Sequence, residues 1–504
     1  MTATTNNAKV PGLRRNAIGL REVLFQSITD MAPGAAIAAS IPAGAAFAGG
    51  SLPLSVVLAL VACLFCASCV GVLARQMPSS GSLATYAARG LHPSVGFLVA
   101  WGYVLVGALI PPLVLLQLGF TTASTINAEV SGYPANLWWP WSILGALIVL
   151  AAGYYGIRTS ARLGTVLGVF EIGVFLVLGV FLVVHAGSHN TLSVFTTKYT
   201  PSGFHGMSGV IAGSVFTILA FGGFEGAAPL AEEARNPGRT VQRAVLGATL
   251  GIGVLYLFTT YAAAVAFGPA KFAGFTGAGP ASWEGMARSL YGIFWFFVFL
   301  AIVNSTIANA NAGVNVSSRT AFAMGRIRAF PHFLAQVHHR HRSPVNAILV
   351  GTAVTIAVTL GLGLGYGPEV AFAMVGTGIV IILAAIYIVV DAACIGFFAR
   401  RGHGWNPFLH LVVPVLGIGA FIPAWLAAVG IQAFSFITPL TPPVSYMAPG
   451  VAAWMVAGAL YLGYLYLRDP RRVTEVGLVH LDADIGEAVP AMAGEAERRT
   501  GEGE

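Results

Sequence analysis

Charge is scarce in this sequence. Of 504 residues only 9% are Asp, Glu, Lys or Arg, against about 25% in an ordinary soluble domain. A water-soluble fold of this size needs a polar exterior. A soluble enzyme is therefore excluded, and so are a disordered and a collagen-like chain. Cysteine is scarce too: four in the chain make no disulfide framework. The zinc-protease pattern HExxH and the phosphate loop GxxxxGK[ST] are missing. A membrane enzyme or an ATP-driven pump would lack its chemistry. No cleavable leader pattern precedes Arg21, so the first apolar run is expected to be retained. What the chain has in abundance is apolar residues, 56% of the total, with a mean hydropathy of +0.79.

A membrane-crossing helix needs about 20 mostly apolar residues. Twelve runs qualify, near 24–50, 53–74, 95–125, 138–156, 163–186, 208–230, 244–267, 286–314, 345–363, 368–398, 411–432 and 448–467. The expected fold class is an all-α integral membrane protein of twelve transmembrane helices. With the N-terminus inside and every span alternating, all 26 Lys and Arg except Lys198, Lys271 and Arg288 fall in inside segments. That bias is the positive-inside pattern, and it supports twelve spans with both termini cytoplasmic. The net charge of +7 thus reports topology and contact with anionic lipid. It does not report nucleic acid, because the basic residues form no single face. Trp138, Trp139 and Trp141 cluster at one interface as belt residues do. The expected organisation is a cytoplasmic tail over 1–22, a transmembrane domain over 23–470 and an acidic, solvated tail over 471–504.

Ionisable residues at membrane depth are costly, and so they discriminate between functions. There are four: Asp30 in the first span, Glu171 in the fifth, Glu225 in the sixth and Asp391 in the tenth. Asp391 is expected to reach the cytoplasmic interface. Two spans also read as broken. The first carries Asp30-Met31-Ala32-Pro33-Gly34-Ala35-Ala36 and the sixth Phe221-Gly222-Gly223-Phe224-Glu225-Gly226. Proline removes an amide donor, and each glycine weakens a helix by about 1 kcal/mol. Simple kinks and close packing are the bland readings. Breaks five spans apart favour a cavity, because interrupted segments at matching places in two halves mark a transporter site. An odd number of spans per repeat inverts the second, which gives repeats over 24–186 and 208–398 with helices 411–467 appended. Free amides at a half-helix N-terminus attract a carboxylate, and free carbonyls at a C-terminus attract an ammonium. A zwitterionic amino acid fits both poles. A bare amine would use the carbonyls and an acid such as Glu225.

Other patterns carry less. Cys63, Cys66 and Cys69 have the spacing of an iron–sulfur run, but inside an apolar helix they read as a packing stripe. His338, His339 and His341 read as solvated loop. Gly164/Gly168 and Gly361/Gly365 match GxxxG weakly in a chain with 62 glycines. No cofactor or metal is expected.

The stretch Phe221–Glu225, followed by Glu232-Glu233-Ala234-Arg235-Asn236-Pro237-Gly238-Arg239-Thr240, resembles the amino acid–polyamine–organocation superfamily of permeases. So do Ser318–Arg326, Phe330-Pro331 and Ser343-Pro344-Val345. The resemblance runs from about Leu20 to Leu467. It implies a leucine-transporter-like fold with 5+5 inverted repeats and alternating access. It implies that Gly34, Ala35 and Ala36 hold a substrate carboxylate, and that carbonyls near Met31, Ala32 and the sixth span hold its amine. Phe221 and Phe224 would be gate aromatics. The eighth span supplies Trp295, Asn304, Ser305 and Thr306, the last two where sodium-coupled relatives bind their ion. The sequence departs from the pattern at Pro33-Gly34, where a hydroxyl-bearing run is common, and at Gln242. It also has Glu171 where proton-coupled members often carry a lysine. Glu171 is expected to titrate in the cycle or to hold the first span near Asp30; Asp30, Glu171 and Glu225 are the candidate coupling residues.

The expected function is a plasma-membrane secondary transporter of amino acids, by proton symport or by exchange for another solute. A carrier of polyamines or small amines is the first alternative. A channel or membrane sensor is the second.

Overall fold

The computed structural model describes residues 18–79, 81–134, 136–155, 161–204, 206–231, 234–275, 282–326, 331–337, 343–401 and 404–468. Most of both expected tails, together with His338, His339 and His341, lies outside the described residues. The first helices are α1 (Leu20–Met31), α2 (Pro33–Ala35), α3 (Ile41–Ala43), α4 (Ala45–Ala48), α5 (Leu52–Gln76) and α6 (Ser82–Gly90). Then come α7 (Pro93–Glu129), α8 (Trp139–Tyr155), α9 (Ala161–Ala186), α10 (Met207–Phe221), α11 (Pro237–Phe267) and α12 (Trp283–Tyr291). The last are α13 (Phe294–Arg326), α14 (Val345–Tyr366), α15 (Pro368–Arg401), α16 (Val413–Val429) and α17 (Met447–Arg468). Among the described residues the extended pairing is one isolated bridge, Ile18 to Ala234.

Among the described residues ten helical stretches are long and apolar enough to cross a membrane; one is the 57-residue run Leu20–Gln76. That run is not a straight rod. The carbonyl of Gly44, Cβ of Ala48 and Oγ of Ser55 all lie within 3.2 Å of where a Cβ on Gly213 would stand. In a straight helix Gly44 and Ser55 would be about 16 Å apart. The chain therefore folds back on itself at the 3-10 turn Gly49–Ser51, where Gly49 has φ +55°. Only glycine takes that angle without strain. The helix α8 is apolar but 17 residues long.

The outside of the bundle is apolar. Val184, Leu364, Leu460 and Leu467 are each more than two thirds exposed. In water such a surface would aggregate; against hydrocarbon it is matched. Polar groups are turned inward instead, and here one expectation fails. Asp391 does not reach the interface: it is 0% exposed. Its place in the sequence measures distance along α15, whereas α5 and α16 pack over it laterally and shut out water.

The short helix α12 is not one of these ten stretches and ties down the first one. A π-helical stretch, Ala36–Ser40, follows α2. Trp283 donates its indole N–H to the Ile37 carbonyl there at 2.8 Å. Arg288 pairs with Glu129 at 2.5 Å and lies 4.7 Å over the Trp295 ring. Between them Glu284 is buried, and burial pushes its carboxyl up to about 7, against the opposing pull of its backbone bond, Ser282 and Arg288. An acid raised in the folded state carries no penalty below its unfolded value of 4.5 and a full one above 7. Stability should therefore fall as pH rises from about 4.5 to 7, by roughly 3 kcal/mol from this group. Glu284→Gln should flatten that slope in thermal unfolding scans taken across the range. An unchanged slope would mean the carboxyl does not titrate there.

Candidate functional site

The first break is at Ala32, one residue before the proline. A residue preceding proline is disfavoured in the right-handed helical region. Ala32 accordingly adopts φ 45°, ψ 65°, and its N–H turns back to the Thr29 carbonyl at 3.0 Å. The helix restarts at Pro33, which needs no acceptor. Ala36 N–H bonds the Ala32 carbonyl at 2.9 Å. The amides of Gly34 and Ala35 find no backbone acceptor among the described residues. The second break follows Phe221: Gly222 leaves the helix at ψ 128° and Gly223 takes φ 109°. A tight 3-10 run, Phe224–Leu230, continues the chain.

The two breaks touch. A Cβ on Gly223 would stand 2.6 Å from the Asp30 carbonyl carbon and oxygen. Ser27 stitches them, donating to the Phe224 carbonyl at 2.8 Å and accepting from Ala227 N–H at 2.9 Å. The Tyr256 hydroxyl bridges the two open helix ends, 3.2 Å from the Met31 carbonyl and 3.0 Å from that of Ala220. Asn309 donates to the Asp30 carbonyl at 2.9 Å, and Gln117 to that of Ala35 at 2.9 Å. Each carbonyl oxygen keeps a second lone pair for another donor. The Asp30 carboxylate accepts from Gln26 at 3.0 Å. Phe221 packs edge-on against Tyr256 and Phe224 lies on Tyr387, both fully buried.

Glu225 is braced rather than free. It accepts from the hydroxyl of Tyr103 in a short hydrogen bond, from Tyr387 at 2.9 Å and from Gly223 N–H at 3.2 Å. Three donors from three parts of the chain leave it little capacity as a counter-ion.

Glu171 stands at the opposite side of the first break from the one expected: at Gly34, not Asp30. A Cβ on Gly34 would be 3.0 Å from Glu171 Oε2, 3.1 Å from the Ala301 carbonyl and 3.1 Å from Ser305 Cβ. The carboxyl faces the Gly34 amide and the side chains of Ser305 and Asn304. Glu171 Oε2 and Ser305 Oγ are both buried and complete no hydrogen bond among the described residues. Two candidates from different spans, Glu171 and Ser305, are thus brought together. Thr306 turns its hydroxyl onto its own helix, to the carbonyls of Ile302 and Val303 at 3.0 Å. Trp295 lies under Arg288, about 15 Å along α13 from Ser305. Trp295 thus stands apart from the breaks.

The residues that sequence reasoning missed are Ser27, Tyr103, Gln117, Tyr256, Asn309 and Tyr387. A count of uncharged polar residues in the spans would have flagged Gln117 and Asn309. Nothing local marks the tyrosines, which are common at membrane interfaces.

A sequence model of the family described as Amino acid permease matches residues 18–463. The chain belongs to the amino acid permease family. That places it among permeases, not enzymes, within the amino acid–polyamine–organocation superfamily. The permease is similar to the low-affinity putrescine importer PlaP of Escherichia coli (strain K12), 29% identical over 318 residues, which are 61% of this chain and 67% of that one. It is also similar to the branched-chain amino acid permease BcaP of Bacillus subtilis (strain 168), 26% identical over 60% of this chain and 65% of the relative. The histidine permease HisP of Lactococcus lactis is 27% identical over 58% of this chain and 61% of the relative. The permease is a multi-pass membrane protein of a family that transports amino acids or amines.

Proposed function

We propose that the permease is a secondary active carrier of amino acids in the plasma membrane, working by alternating access with proton symport or solute exchange. One observation carries this reading: two broken helices packed against each other, with the Gly34 and Ala35 amides on one side and the Asp30, Met31 and Ala220 carbonyls on the other. That pair of poles suits a zwitterion. The hairpin at Gly49–Ser51 and the short helix α8 bring the ten long stretches to twelve crossings, with both termini cytoplasmic. Five crossings per repeat would put α1 and α10 in matching places. Glu171 with Ser305 is the coupling site we favour, because two unsatisfied buried oxygens there await a proton or a cation.

A second reading has its own observation. The Glu171 carboxyl already faces the Gly34 amide, so part of the anion pole is filled by the protein itself. A substrate without a carboxylate, an amine such as the putrescine in the name of one relative, would then fit better. The experiment is counterflow in proteoliposomes with labelled leucine, histidine and putrescine, each competed by the others. Saturable counterflow of leucine or histidine supports the amino acid reading. Counterflow of putrescine that neither amino acid inhibits would replace it with the amine reading. Flux without saturation or counterflow would indicate a channel and refute both.

A further inference from the structure

Asp391 is used by neither break, and its surroundings are unusual. It is 0% exposed, and among the described residues neither carboxyl oxygen has a hydrogen-bond partner. The groups that face it are thiols: Cys66 and Cys69 of α5, with Cys394 one turn on along α15 and beside Cys69. From α16 it meets Gly417, where a Cβ would fall on its Oδ2 and lie 3.2 Å from Phe65 Cβ. Any larger residue would take its space, so the helix is cut away to admit this carboxyl. Other ionisable groups stand further off. Cys63, one turn before Cys66 on α5, is close enough to interact electrostatically with both Asp391 and Glu225. Tyr387 is one turn earlier on α15. On α6, Tyr86 is buried and Arg89 exposed. His410 stacks on Phe398, two turns away. None of these supplies a paired cation.

A bare carboxylate in this pocket would be an uncompensated charge in hydrocarbon, whereas a carboxylic acid carries none. The pocket is also wired to the second break: Tyr387, four residues from Asp391 on the same helix, donates to Glu225 at 2.9 Å. We propose that Asp391 is a second proton-binding site of the permease, loaded and unloaded in the transport cycle and distinct from Glu171. The step is one proton taken from water to form the carboxyl O–H, and the same proton returned to water when the packing of α5 and α16 opens; no other bond changes. The proposal rests on the carrier reading above, and the test separates the two.

The test uses the full-length protein in proteoliposomes, comparing wild type, Asp391→Asn and Glu171→Gln. One measurement is the infrared carbonyl stretch of protonated carboxyl groups, recorded as a pH difference spectrum, which needs no substrate. The other is counterflow, and accumulation driven by a pH gradient, of whichever of leucine, histidine and putrescine the wild type carries. The expected result is loss in Asp391→Asn of one acid band that Glu171→Gln retains, with counterflow kept within about twofold and gradient-driven accumulation reduced about tenfold. An unaltered infrared spectrum, or a lost band with an unchanged pH profile of accumulation, would overturn the proposal. Absence of counterflow in the wild type would instead strike the carrier reading, and the infrared band alone would then decide whether Asp391 binds a proton. If Asp391→Asn does not fold, Asp391→Ser, which is smaller and also uncharged, is read by the same two measurements.

Discussion

Gly223→Ala will stop transport and lower the unfolding temperature of the permease. Gly223 has φ 109°, a region that costs an alanine about 1–2 kcal/mol. The added methyl would also stand 2.6 Å from the Asp30 carbonyl and 2.9 Å from the Met31 amide. Those atoms belong to backbone, which cannot rotate away as a side chain can, and forced overpacking costs about 1–3 kcal/mol more. The sum, roughly 3 kcal/mol, falls on the contact between the two breaks. Gly361→Ala is the control. Apart from its own helix backbone, no described atom lies within 4 Å of its would-be Cβ, and it stands inside α14, where alanine gains about 0.5–1 kcal/mol over glycine. That variant should be as active as the wild type and slightly more stable. The same openness at Gly361 and Gly365 shows that this GxxxG is no packing seam within the chain. Equal loss from both substitutions would mean that glycine content, not the junction of the breaks, is what matters.

Glu171→Gln will cut gradient-driven accumulation about tenfold and flatten its pH dependence, while counterflow persists. The substitution keeps the shape of the side chain and removes its ability to ionise. A hydrogen bond to a charged group is worth about 1.5–3 kcal/mol, and tenfold is the lower end of that range. The carboxyl lies against Gly34, where the first span restarts, and beside Ser305 of α13. A change of charge there would alter how firmly α2 holds to α13, the contact that the alternating access proposed above would have to vary. The check is accumulation at several pH gradients beside counterflow at matched pH. A variant with the wild-type pH profile would remove Glu171 from the coupling step. Ser305→Ala should reproduce part of the effect if the two groups share a proton or a cation, and none of it if Glu171 acts alone.

Several features were legible in the sequence because they are local. Proline and glycine act on their own backbone, so the interruptions at Pro33-Gly34 and Gly222-Gly223 could be read without coordinates. The first fell one residue earlier than the proline itself, since the constraint acts on Ala32. The long apolar runs were legible for a similar reason: transfer from water to hydrocarbon depends on composition along a segment. The turn at Gly49–Ser51 left its mark as well, in the Ser51-Leu52-Pro53 boundary between two runs. The state of the buried acids was less accessible. Asp30, Glu171, Glu225 and Asp391 were all visible as ionisable groups at depth, yet each lies in surroundings its neighbours in sequence do not reveal. Glu225 is held by tyrosines 122 and 162 residues away. Asp391 is covered by α5 and α16. Glu171 meets Gly34 because of the rotation of α9 about its axis, which packing sets.

Composition and local backbone chemistry were enough to mark a helical membrane protein with two interrupted spans and acids within its apolar runs, because hydrophobicity and backbone freedom are properties of short segments. Tertiary structure alone decided which acid is braced, which faces a freed amide and which is sealed among thiols. A buried charge is settled by the groups within a few ångströms of it, and in this fold those groups come from distant parts of the chain.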